Sequence, residues 1–243
     1  MNSQNKYFYY FITVTIVIFS FCFYSSNFYP LLNSDDALNI LMAHYYKLPH
    51  DLYCWGQDRG GTLIPLVSQI FIKIFHLSAL TSVSLSNYIL LLIGYLCFAS
   101  LFKSCYSKIL FGLIWFLPFQ RFIDLLRFPI GVEYSLIALV IFLVTKLDDK
   151  IIFKSVKNHL LILSIIFISI LSIWVSDLAM VTIGLLLLIL FIYAFIERRN
   201  TFLNMTIISY LIIGLISCFV LITYAKSFAG LKTELDSVKI TRL

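Results

Sequence analysis

The chain has 243 residues, 61% of them hydrophobic and 12% charged, with a mean hydropathy of +0.96. Soluble domains run at about 45–50% apolar and about 25% charged, so too few polar side chains are present to coat a water-soluble globule, which excludes soluble enzymes, disordered chains, coiled coils and secreted disulfide scaffolds. The net charge of +6 reads as a membrane-topology signal rather than a nucleic-acid footprint, because the cations sit in short loops between apolar runs.

The first apolar run, 7–25, follows Lys6 and is too long for a cleaved signal; it is expected to stay as a first membrane span. A crossing helix needs about 20 apolar residues. Further candidate spans are 84–102, a short one at 109–119 ending at Pro118, then 129–145, 158–175, 178–196 and 203–224. The expected fold class is therefore all-α, a polytopic membrane protein of about seven transmembrane helices.

With the N-terminus in the cytoplasm, the inner loops carry nine cations, from Lys6 through Lys103, Lys108 and Lys146 to Arg199. The outer loops carry five, Lys47, Arg59, Lys73, Arg121 and Arg127, and the tail beyond residue 225 adds four. This bias favours an inner N-terminus and an outer C-terminal tail. The polar residues that are not simple flanks then fall on the outer side, which points to an outward-facing site.

Residues 26–83 form the one long outer loop before the tail. Ser34 is expected to cap a helix whose first turn holds Asp35 and Asp36, where carboxylates suit the helix dipole. Leu38, Leu41, Met42 and Tyr45 recur at helical spacing, so this helix is amphipathic and should lie along the membrane surface. Asp35 and Asn39, one turn apart, share its polar side. Surface capping is the plain alternative for the acidic pair. After Pro49 comes Tyr53-Cys54-Trp55-Gly56-Gln57-Asp58-Arg59-Gly60-Gly61, where aromatic rings, glycines and a charged pair meet. Its glycines permit close backbone approach, although an interfacial aromatic anchor would read the same way. A second amphipathic helix is expected over about 62–76, with Pro65 in its first turn.

Farther on, Arg121, Asp124 and Arg127 recur every third residue and share a helical stripe. Arginines there can bind phosphate through a fork of donors, or snorkel to lipid headgroups. Glu133 opens the fourth span, and Asp177 stands in the turn between the fifth and sixth, where it can equally cap the sixth. The five cysteines contain no CxxC pair and the four histidines show no ligand spacing, so no zinc site or disulfide framework is expected. Asp35 and Asp36 can hold a divalent cation together with a substrate phosphate, although nothing in the sequence demands one.

These segments, in this order, resemble the GT-C glycosyltransferases, a superfamily of membrane enzymes. Ser34-Asp35-Asp36-Ala37 resembles the acidic pair of that family's first outer loop, and Tyr53 to Gly61 resembles the aromatic-Gly-Gln-x-x-Gly segment of bacterial members. Gly131-Val132-Glu133-Tyr134-Ser135 and Trp174-Val175-Ser176-Asp177-Leu178-Ala179 resemble later outer-loop features. The resemblance implies a polyprenyl-phosphate sugar as donor and a hydroxyl on a glycan, lipid or protein as acceptor, at the outer face of a bacterial plasma membrane. It implies Asp35 as general base and Asp36 as the group that orients the acceptor or shares a metal. Arg59, Arg121 and Arg127 would bind the lipid phosphate. Asn39, Gln57, Glu133 and Asp177 would complete the substrate site.

Residues 1–225 correspond to the family's shared N-terminal module and 226–243 to a short tail, so a truncated chain or one that works with a partner is expected. The alternative reading is a non-catalytic membrane protein, either a carrier of lipid-linked sugar or an inactive remnant. Neither an internal repeat nor a mid-span charge favours a transporter.

Overall fold

A computed structural model of the chain describes residues 3–29, 33–55, 60–119, 122–123, 126, 129–146, 156–196, 209–210 and 212–227. Those residues are all-helical, with one isolated bridge, Tyr53 to Gly61, in place of any strand. The helices are α1 (Ser3–Tyr24), α2 (Ser34–Tyr45), α3 (Leu63–Phe75), α4 (Ala79–Ala99), α5 (Cys105–Phe116), α6 (Pro129–Val144), α7 (Val156–Val175), α8 (Ala179–Ile196) and α9 (Ile212–Ser227).

Among the described residues, two stretches are long and apolar enough to cross a membrane, Tyr7–Tyr24 of α1 and Ala79–Ala99 of α4. The remaining expected spans correspond to shorter apolar helices or helical segments of 10–17 residues. The helix at the third expected span ends at Phe116 rather than reaching residue 119. The Leu117 amide closes the last turn on the Leu113 carbonyl at 2.8 Å, and Pro118 disfavours helical backbone at the residue before it. In contrast, α4 begins at Ala79, five residues before the apolar run at 84–102. Its extra turn is rich in hydroxyls, and Ser78 caps it by accepting from the Thr81 amide at 3.2 Å.

Polar side chains hold α1 against α4 in antiparallel register. The Thr13 and Tyr95 hydroxyls lie 3.4 Å apart, those of Ser20 and Tyr88 3.0 Å apart, and Thr81 donates to Asn27 at 3.1 Å just beyond the end of α1. Each rung is seven residues from the next on both sides. α5 closes the group: the Ser20 hydroxyl donates to the Phe116 carbonyl and the Tyr95 phenol to that of Lys108 at 3.0 Å.

α6 runs parallel to α4. Asn87 donates to the Leu126 carbonyl, and farther along Gly94 lies so close to Ser135 that a Cβ there would meet its side chain at 2.5 Å. Small residues let helix backbones approach in this way. α7 returns antiparallel to α6, with Ser176 at Glu133, and α9 follows α7, with His159 against Tyr210 at 3.0 Å. The helices thus alternate in direction. The ends of α1, α5, α7 and α9 gather with the starts of α4 and α6 at one end of the bundle, where α2 and α3 also pack.

The exterior of this bundle carries many exposed large apolar side chains. α1 turns Tyr7 (75% exposed) and Phe11 (70%) outward while burying Thr13 and Ser20. α8 exposes Met180, Val181 and Leu185, and α9 exposes Ile213, Ile216 and Phe219.

Candidate functional site

The acidic helix sits at the gathered end, and its cap differs from expectation. Asn33 rather than Ser34 is the N-cap, its side chain accepting from the Asp36 amide at 2.8 Å. Asparagine caps as well as serine does, and its extended backbone places Ser34 in the first turn. The acidic pair is split by burial. Asp36 is 2% exposed and accepts from the Ser26 hydroxyl at 3.1 Å, whereas Asp35 is half-buried. Asn39 does not share an open polar side with Asp35. It lies on the buried face with Asp36, and its amide donates back to the Asp35 carbonyl at 3.0 Å.

The Tyr53–Gly61 segment is anchored on both sides. On one side stands Asp51, fully buried, which sequence reasoning missed. Its carboxylate accepts from the Lys47 amide at 2.6 Å and from the Trp55 indole at 2.9 Å, and its carbonyl takes the Thr62 hydroxyl. Asp51 and Trp55 at i and i+4 were the available signal, in a stretch without helical periodicity. On the other side stands Trp174 of α7. Its carbonyl accepts from the Gly61 amide at 2.8 Å, and its indole donates to the Leu52 carbonyl at 2.9 Å. A Cβ on Gly61 would lie 2.5 Å from that carbonyl oxygen, so glycine is required there by space. Gly60 has φ 80, the left-handed backbone that glycine adopts without strain.

Electrostatics place α2 beside this segment. Burial pushes the Cys54 thiol up to about 11, and the nearby Asp35 carboxylate raises it further. Burial likewise holds the Tyr46 phenol above its ordinary range; the hydrogen bond to Thr62 opposes this, and Asp51 and Cys54 add to it.

Glu133 and Ser176 meet at the α6–α7 corner. Glu133 is 4% exposed and shares a hydrogen bond with Ser176. Asp177, the next residue, is exposed and stands 4.0 Å from Lys226, a pair worth at most about 1 kcal/mol at such exposure. The structure thus forms two clusters, Asp35–Asp36–Asn39 on α2 and Glu133–Ser176–Asp177 on α6 and α7, bridged by the Asp51–Thr62 segment through Trp174. Gln57, Arg59, Arg121, Asp124 and Arg127 lie outside the described residues.

Among the described residues no three His, Cys, Asp or Glu side chains converge as a metal cluster, and the Asp36 carboxylate is engaged by Ser26. No family model, curated protein or solved structure matches the chain.

Proposed function

We propose that the chain is a polytopic membrane protein of about seven spans, N-terminus inside, that transfers a sugar from a polyprenyl-phosphate donor to an acceptor hydroxyl at the outer face, in the manner of the GT-C enzymes it resembles. The observation that carries the reading is the position of Asp36. A carboxylate 2% exposed is held by Ser26 at the one end of an apolar-surfaced bundle where the starts of α4 and α6 and the end of α7 converge. Burying an ionisable group beside an apolar bundle is costly without a task for it.

Asp35, half-buried and nearer open space, is the base. Its carboxylate takes the proton of the acceptor hydroxyl as that oxygen bonds to the anomeric carbon and the polyprenyl phosphate leaves with the bond electrons. Asp36, fixed by Asn33 and Ser26, orients the acceptor. Arg59, Arg121 and Arg127 supply the positive charge that a departing phosphate needs. An exterior of Phe, Ile, Leu and Val supports the membrane location, since lipid tails solvate such a surface and water does not.

The test is sugar transfer from a polyprenyl-phosphate donor in membranes carrying Asp35→Asn or Asp36→Asn. Removing the base at 35 is expected to cut transfer by about 10²- to 10⁴-fold, with a smaller loss at 36. Full transfer by both variants overturns the assignment. A wild-type chain that binds donor but never transfers sugar belongs to the non-catalytic class.

A further inference from the structure

The acidic helix is tied at both ends, and the tie at its far end runs through a buried carboxylate that the transfer reading leaves unused. At the start of α2, Asn33 and Ser26 hold Asp36. At its end, Gln69 of α3 donates to the Ala43 carbonyl at 2.6 Å, and the phenol of Tyr46, the C-cap residue, lies 3.0 Å from the Thr62 hydroxyl. Thr62 donates in turn to the Asp51 carbonyl. One oxygen of the Asp51 carboxylate takes the amide of Lys47, the residue after the cap, at 2.6 Å; the other takes the Trp55 indole at 2.9 Å. The Asp51 amide closes the same turn on the Lys47 carbonyl at 2.9 Å. Leu52, the next residue, takes the Trp174 indole and so reaches α7.

A fully buried carboxylate is kept where donors converge on it. Here the two N–H donors come from different stretches, the chain leaving α2 and the loop that begins at Trp55, so Asp51 clasps one to the other. Asparagine cannot repeat this. It keeps one acceptor oxygen and turns an NH2 group toward the second N–H, so that two donors face each other. The clasp acts at a distance because a helix is a stiff rod. Asp35 stands about 16 Å along the axis from Tyr46, at about 1.5 Å per residue, so a tilt of about 4° displaces one end relative to the other by about 1 Å. Misplacing a reacting group by that much costs up to about 10²-fold in rate. Cys54, three residues after Asp51, lies near enough to feel the Asp35 carboxylate, so the clasp and the base share one neighbourhood.

We propose that Asp51 is a positioning residue: by clasping the end of α2 to Trp55 and, through its carbonyl, to Thr62 at the start of α3, it sets where Asp35 stands. The inference rests on the glycosyl-transfer reading, in which Asp35 is the base, and adds the group that acts through that base without touching substrate. Its signature is dependence on Asp35. A residue that merely keeps the chain folded lowers transfer by the same factor whether or not the base is present, whereas a positioning residue has little left to lose once the base is gone.

Two cycles on the full chain in micelles test this. In the first, sugar transfer is measured for the wild type, Asp51→Asn, Asp35→Asn and the double variant. Asp51→Asn is expected to lower transfer by about 10- to 100-fold beside Asp35 and to leave the residual transfer of Asp35→Asn nearly unchanged. An equal factor in both backgrounds, or no loss beside Asp35, overturns the inference and leaves the transfer reading intact. The second cycle needs no activity. With the other four cysteines replaced by alanine, maleimide alkylation of Cys54 at pH 8 is followed in the same four chains. Asp35→Asn is expected to quicken alkylation beside Asp51 and to change it little in the Asp51→Asn background, where the two groups are no longer held together. Equal quickening in both backgrounds overturns the inference. Where the wild type transfers no sugar, this second cycle alone decides: a lost coupling keeps Asp51 as the residue that places Asp35, and the transfer reading falls. Should Asp51→Asn fail to fold, Trp55→Phe, which removes one donor from the carboxylate and leaves the carboxylate in place, replaces it in both cycles, with the same outcomes deciding.

Discussion

The backbone amide of Gly61 donates to the carbonyl of Trp174 at 2.8 Å, with the indole of that tryptophan packed where a Gly61 side chain would stand. A residue of the first long loop is thereby fixed to the end of α7, and the segment that carries Gln57 and Arg59 in the sequence begins and ends on that anchor. Gly61→Ala forces a Cβ into the Trp174 ring and carbonyl. It is expected to lower stability by about 1–3 kcal/mol and to lower sugar transfer with it. Trp174→Phe removes one hydrogen bond, to Leu52, and should cost about 1 kcal/mol. Thermal unfolding in micelles reads both; an alanine at 61 that leaves the midpoint unmoved contradicts the contact.

Cys54 reports on Asp35. Its thiol rises from an ordinary 9.0 to about 11, so the folded state keeps the proton longer than the unfolded state does. The stability this contributes is fully present below pH 9 and is lost as pH climbs through about 11. Alkylation by maleimide, which needs the thiolate, should be about 100-fold slower in the folded chain than after SDS denaturation at pH 8, before any effect of access. Asp35→Asn removes the lesser of the two causes, and alkylation should quicken. An unchanged rate would separate Asp35 from the Tyr53–Gly61 segment.

Orientation is testable at exposed serines. On a cysteine-free background, Ser78→Cys before α4 should react with an impermeant maleimide from outside intact cells, and Ser107→Cys in α5 only after the membrane is opened. The reverse pattern inverts the proposed topology and moves the acidic helix inside.

The Ser20–Tyr88 rung joins two helices through a hydroxyl pair and a bond from the Tyr88 phenol to the Ser20 carbonyl at 2.9 Å. Tyr88→Phe and Ser20→Ala should each cost about 0.5–1.5 kcal/mol, and the double variant less than their sum, because both remove the shared contact. Strict additivity in a denaturation series would mean that the two side chains act apart.

Hydropathy made the helical class and most helix positions legible, because runs such as 129–145 and 158–175 are apolar almost without interruption. It missed the first turn of α4, where Thr81, Ser82 and Ser84 count as polar in a transfer scale. In the helix, Ser82 bonds back to the Ser78 carbonyl and Thr81 bonds across to Asn27, so their polarity is hidden. The acidic pair was visible as a pair. Its division into a buried and a half-buried carboxylate was not, because that depends on which face of α2 meets α4. Asp51 escaped notice because a loop anchor has no period, and its partners at Lys47, Trp55 and Thr62 become neighbours only when the chain folds back.

Equal seven-residue spacing on α1 and α4 makes the pair behave like a vernier, aligned only at one phase. Deleting a single residue of α1 between Thr13 and Ser20 turns one rung by about 100° relative to the other, and no sliding of the helix restores both. Excising a whole heptad from each helix keeps the phase and merely shortens the stack. Length changes in this part of the chain are therefore tolerable only in matched multiples of seven, a quantised constraint that neither helix carries alone.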